Sequence, residues 1–66
     1  MDSKQIDEAM RKQLPVKYEG ERYERILEYI SRYDDQGRRT LSVGLLRGNN
    51  LYRVLADKVE PWEESV

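Results

Sequence analysis

The stretch YEGERYERILEYISRYD, Tyr18 to Asp34, decides the fold. Tyr23, Ile26, Leu27, Ile30 and Tyr33 stand at i, i+3, i+4, i+7 and i+10, the spacing of one helical stripe. Glu21–Arg25 and Glu28–Arg32 are i,i+4 pairs in the order that favours a helix. As a strand the same residues divide differently. Ile26 and Ile30 then share one face, and Tyr23, Leu27 and Tyr29 share the other. Tyrosine and isoleucine favour strands, and no clear cap precedes the segment. Just upstream, Glu19-Gly20 separates two β-friendly triplets, Val16–Tyr18 and Glu21–Tyr23. Glycine suits the positive φ of a tight hairpin. A chain that leaves such a hairpin starts as a strand. It serves a small barrel if it bends along its length and changes which face is buried.

Upstream, MDSKQIDEAMRKQLP predicts a helix over residues 3–14. Asp2 or Ser3 can cap it, and with Asp2 as cap Gln5 completes a capping box. Ile6, Ala9, Met10 and Leu14 form one apolar stripe. Arg11 and Lys12 suit the negative end of the helix dipole, and Pro15 closes the segment. Downstream, DDQG (Asp34 to Gly37) is a turn. RRTLSVGLL alternates Leu41, Val43 and Leu45 with Thr40, Ser42 and Gly44, as a half-buried strand does. Gly44 marks a bulge or a close backbone approach. RGNN (Arg47 to Asn50) is a second turn and LYRVL a further strand. ADK forms one helical turn before a last short strand, VEPW, ended by Pro61.

Sixty-six residues make one domain, expected to span residues 1–66, with a barrel over 15–62 and a frayed acidic tail over 63–66. The chain contains neither Cys nor His. Disulfides and zinc sites of the thiolate or imidazole kind are therefore excluded. The lack of Cys also fits a cytoplasmic location. No apolar run is long enough to span a membrane. Charged residues are 38% of the sequence, yet the net charge is only −1. The charge is unevenly placed: −2 over residues 1–37, +4 over 38–53 and −3 over 54–66.

In the motifs PVKYEGERYERI, ISRYDDQG, LSVGLL and GNNLYRVLADKVE, the sequence resembles a set of short bacterial proteins common in clostridia and their mobile elements. The resemblance covers about Ala9 to Glu60. It implies a mainly β fold with an N-terminal helix, a five-stranded SH3-like or Sm-like barrel, and no established activity. It also favours the strand reading of residues 22–33. The expected core is Ile6, Ala9, Met10, Leu14, Val16, Ile26, Ile30, Leu41, Val43, Leu45, Val54 and Val59.

Chemistry is sparsely represented. With no His, the commonest general acid–base residue is missing, and with no Cys there is no thiol nucleophile. The paired acids Asp34-Asp35 sit in a predicted turn. No enzyme, cofactor or metal is expected. The leading expectation is a binding module for a protein partner or for self-association. The alternative is single-stranded nucleic acid, held by arginines that track phosphates and tyrosines that stack on bases. Arg38, Arg39, Arg47 and Arg53 would then form one continuous basic face, beside Tyr29 and Tyr52. Trp62, the sole Trp, either caps the barrel, packs on the helix or serves as a partner anchor.

Overall fold

The computed structural model describes residues 1–63. The acidic tail expected over 63–66 therefore lies, apart from exposed Glu63, outside the described residues. The elements are helix α1 (Ser3–Lys12), strands β1 (Val16–Tyr18), β2 (Glu21–Tyr23), β3 (Arg25–Tyr33), β4 (Arg39–Arg47) and β5 (Asn50–Leu55), a 3-10 turn (Ala56–Lys58) and strand β6 (Val59–Pro61). The fold is mainly β with an N-terminal helix. Among the described residues the strands number six, not five. They form two open antiparallel sheets, ordered β2-β1-β6 and β3-β4-β5, and not one closed barrel. The count rises because β2 and β3, expected as one long strand, are interrupted at Glu24. There the chain turns from one sheet into the other, and the Glu24 amide donates to the Leu46 carbonyl of β4 at 2.8 Å.

The helix begins as its residues dictate. The Asp2 carboxylate accepts from the Gln5 amide at 2.8 Å, and the Asp2 amide donates to Gln5 Oε1 at 3.1 Å, completing the capping box. It ends at Lys12, two residues earlier than expected. Gln13 takes the left-handed conformation (φ 56°), and the amides of Gln13 and Leu14 donate back to Met10 and Ala9. This Schellman closure takes Leu14 off the helical stripe. Leu14 is accordingly exposed, not core.

The hairpins follow their glycines. Glu19 (φ 52°) and Gly20 (φ 79°) are both positive, the type I′ signature, between paired Tyr18 and Glu21. At the β3–β4 turn, Asp34 Oδ1 accepts from the amides of Gln36 and Arg38.

The 18–34 stretch is β and not helix, broken at the Glu19-Gly20 turn and the Glu24 corner, and its core-side residues fall at three-residue intervals for a structural reason. Ile26 pairs with Leu45, but Glu28 pairs with Gly44, so Leu27 is an extra residue that forms a bulge. Beyond it the strand's parity is reversed. Ile26 and Tyr29, three apart, therefore face the same side, in register with Leu45 and Val43. Tyr23, three residues before Ile26, also points into the core, because of the corner at Glu24. Ile30 falls on the opposite face, half-buried, and is not part of the core cluster. The core between the sheets and the helix is Ile6, Ala9, Val16, Tyr23, Ile26, Val43, Leu45, Ala56 and Val59. Met10, Leu41 and Val54 line it partly buried.

Candidate interaction surfaces

The register of the β3-β4-β5 sheet sorts its residues into rows. The rows facing the core are Ile26–Leu45–Tyr52 and Tyr29–Val43–Val54. The rows facing away are Arg25–Leu46–Leu51, Glu28–Gly44–Arg53 and Ile30–Ser42–Leu55. This outer face carries four aliphatic side chains around a charged centre. Leu51 and Leu55 are each 45% exposed, while Leu46 and Ile30 are half-buried. In the middle row the Glu28 side chain lies across Gly44 to reach Arg53, whose Nε donates to Glu28 Oε1 at 2.6 Å. A Cβ on residue 44 would meet Glu28 Cγ at 2.5 Å, so glycine is what lets the carboxylate cross the central strand. The bond to Glu28 raises the Arg53 pKa above its ordinary value.

A second cluster joins the two sheets. Tyr18, Tyr23 and Tyr52 meet edge to face, with ring centroids 6.3 and 5.6 Å apart. The Arg47 guanidinium sits 5.7 Å from the Tyr23 ring centroid and forms an ion pair with Glu21. That bond to Glu21 raises the Arg47 pKa. Partial burial, reinforced by neighbouring Glu19, raises the Tyr18 phenol. The ladder is a packed joint: its central ring, Tyr23, is only 7% exposed.

The four arginines expected to make one basic face do not. Arg39 and Arg47 stand at opposite ends of β4, roughly 26 Å apart at about 3.3 Å per residue. Arg53 lies on the outer face, while Arg47 has the parity of the core face. Arg47 and Arg53 are each held by a glutamate. Arg38 and Arg39 remain at the β3–β4 turn, where the two strands form a ribbon past the end of β5 and Arg39 Nε donates to Ser31 Oγ at 2.9 Å. Across from Arg39, Tyr33 is 71% exposed. Tyr29 lies on the core side with a buried hydroxyl, so it is no platform for a base. Tyr52 is partly exposed at the end of the aromatic ladder. Trp62 is half-buried beside the helix end, its amide donating to the Pro15 carbonyl at 3.4 Å. A depression of about 270 Å³ there is lined by residues that include Met1, Leu14, Pro15 and Trp62.

Outer-face Leu46, Leu51, Leu55 and Ile30 were absent from the sequence-derived surface. Their signal is present all the same: LLRGNNLYRVL is apolar on both strand faces, which a sheet with one wet side does not need.

Among the described residues no cluster of acidic side chains is placed to hold a metal ion, and no helix is long and apolar enough to cross a membrane. Comparison with protein-family models, with curated proteins and with solved structures gives no match.

Proposed function

We propose that this chain is a non-enzymatic binding module, acting in the cytoplasm on a protein partner or on itself. The observation that carries this reading is the outer face of the β3-β4-β5 sheet, where Leu51 and Leu55 stay exposed beside Leu46 and Ile30. Exposed aliphatic side chains gathered on one sheet face, here around the Glu28–Arg53 ion pair, make a contact patch. The two open sheets β2-β1-β6 and β3-β4-β5, joined at a corner at Glu24, support an open scaffold of the SH3-like or Sm-like kind. The test is affinity purification from the native cell with wild type and with the double variant Leu51→Glu/Leu55→Glu. Proteins, or copies of the chain itself, that are recovered by wild type and lost from the variant support the reading. Identical recoveries sink it.

One observation favours nucleic acid as a second reading: exposed Tyr33 stands opposite Arg39, at the end of the hairpin that also carries Arg38 and, on its other face, Arg32. The basic surface then shrinks to the β3–β4 ribbon and excludes Arg47 and Arg53. Fluorescence anisotropy with a labelled single strand at low salt tests it. Binding lost on Arg38→Glu/Arg39→Glu and on added salt supports it. An unchanged anisotropy at protein concentrations up to about 100 µM removes it, since non-specific binding is of that order or tighter.

A further inference from the structure

We propose that the occupant of the outer sheet face is a second copy of this chain, stacked face to face about a two-fold axis that runs along β4. The proposal rests on the binding-module reading and names its partner.

The argument is charge self-complementarity. The middle row places the acid on β3, glycine on β4 and the base on β5. A two-fold along β4 lays β3 of one copy over β5 of the other, row upon row. Glu28 then faces the mate's Arg53, and Arg53 the mate's Glu28. The four charges alternate in sign around the axis. A two-fold across the strands would instead oppose Glu28 to Glu28 and Arg53 to Arg53, which like-charge repulsion forbids. The along-strand axis also matches the apolar rows. Leu55 meets the mate's Ile30, Leu46 meets Leu46, and Leu51 meets the aliphatic stem of Arg25.

Gly44 makes this approach possible. It leaves the centre of the face without a side chain of its own, and Glu28 lies flat over it. Two antiparallel sheets can then close to the usual separation of about 10 Å. The contact is isologous, each copy offering the same patch, so it closes as a dimer and does not propagate. Three strands spaced about 4.8 Å apart make a narrow face. The contact is therefore at the small, transient end of specific interfaces, and association is read at high protein concentration.

The test uses the whole chain in sedimentation equilibrium from about 10 µM to about 1 mM, the range suited to a small interface. Wild type should rise with concentration from 7.9 kDa toward twice that mass. Glu28→Arg and Arg53→Glu, each folded by circular dichroism, should stay monomeric, because each opposes like charges across the axis. An equimolar mixture of the two should regain the wild-type curve. In that mixed pair both bases lie on one copy and both acids on the other, so every charge again faces its opposite across the axis. Should either charge variant fail to fold, Ser42→Cys supplies the second measurement. The chain has no other Cys, and residue 42 of each copy lies beside its mate at the axis. A short bismaleimide should couple this variant to itself, and should leave Asp7→Cys, exposed on the helix on the far side of the core, uncoupled.

A wild type that stays at 7.9 kDa throughout overturns the second copy. So does a mixture that fails to associate. If the chain is monomeric but Leu51→Glu/Leu55→Glu still abolishes partner recovery, the module reading survives and the occupant is a different protein.

Discussion

Deleting Leu27 should leave the protein folded, and deleting Gly44 should not. The two positions are neighbours on one sheet, and each deletion removes a single residue. Leu27 is the extra residue of the bulge: without it Ile26↔Leu45 and Glu28↔Gly44 become consecutive pairs and every later residue keeps its face. The loss is the partial burial of one leucine that is 42% exposed. That is about 1–2 kcal/mol, roughly half of what full burial of a leucine contributes. For a domain of this size it lowers Tm by roughly 4–16 °C. Deleting Gly44 makes Val43 and Leu45 adjacent, so one of these two fully buried side chains must turn to solvent. That costs about 2–5 kcal/mol. The whole domain has only about 3–10 kcal/mol to lose. Thermal melts followed by circular dichroism read both variants, and amide exchange along β3 and β4 reports whether pairing is retained. A Leu27 deletion that unfolds as completely as the Gly44 deletion would refute the bulge argument. So would a Gly44 deletion that melts within a few degrees of wild type.

Three further outcomes follow from the same structure. The Tyr29 hydroxyl is buried with no hydrogen-bond partner among the described residues, so Tyr29→Phe should leave Tm unchanged or raise it, removing a penalty of about 1–3 kcal/mol. Chemical denaturation should show Leu45→Ala losing about 2–5 kcal/mol. Leu51→Ala, on the exposed face, should lose less than about 1 kcal/mol. Glu8 has its pKa lowered by the hydrogen bond and charge of Lys12, at 2.8 Å. Its contribution is therefore complete above the ordinary glutamate value of 4.5 and is lost as the pH falls through the lower folded value. Glu8→Gln should thus lower Tm at neutral pH, and the difference from wild type should vanish in strong acid.

Much of the fold was legible because local chemistry dictates it. The Asp2–Gln5 box, the Glu19-Gly20 hairpin, the Asp34 turn and the alternation of Leu41, Val43 and Leu45 are local signals, and each element formed where those signals stand. Tyr18 to Asp34 was ambiguous for a definite reason. The corner at Glu24 and the bulge at Leu27 each shift strand parity and set the core-side residues Tyr23, Ile26 and Tyr29 at intervals of three, so neither strict alternation nor the helical stripe through Leu27, Ile30 and Tyr33 marks the buried face. That parity change moved Ile30 out of the core and Tyr29 toward it. Leu14 was misplaced because a left-handed Gln13 does not show in the sequence. The interaction surface was less legible. Grouping arginines by their nearness in sequence ignored that alternate strand residues face opposite ways, and that Glu21 and Glu28 come from distant segments to pair with two of them. The outer face becomes visible only once the register sets Leu51 and Leu55 beside Leu46 and Ile30.

The β3–β4 ribbon has a consequence for how the molecule comes apart. The pairs Arg32↔Thr40 and Tyr33↔Arg39 extend past the end of β5, and among the described residues no third strand lies beside them and no core side chain beneath. They are part of what draws the molecule out to 45 Å along its longest axis. A two-stranded ribbon is marginal in water by itself, so this end opens far more often than the sheet unfolds. A protease should therefore enter at the exposed Gln36-Gly37 tip and cut the native chain there first. The two fragments would stay associated through the pairing of Ile30 with Ser42 and of Tyr29 with Val43, and the nicked protein would migrate as intact until denatured.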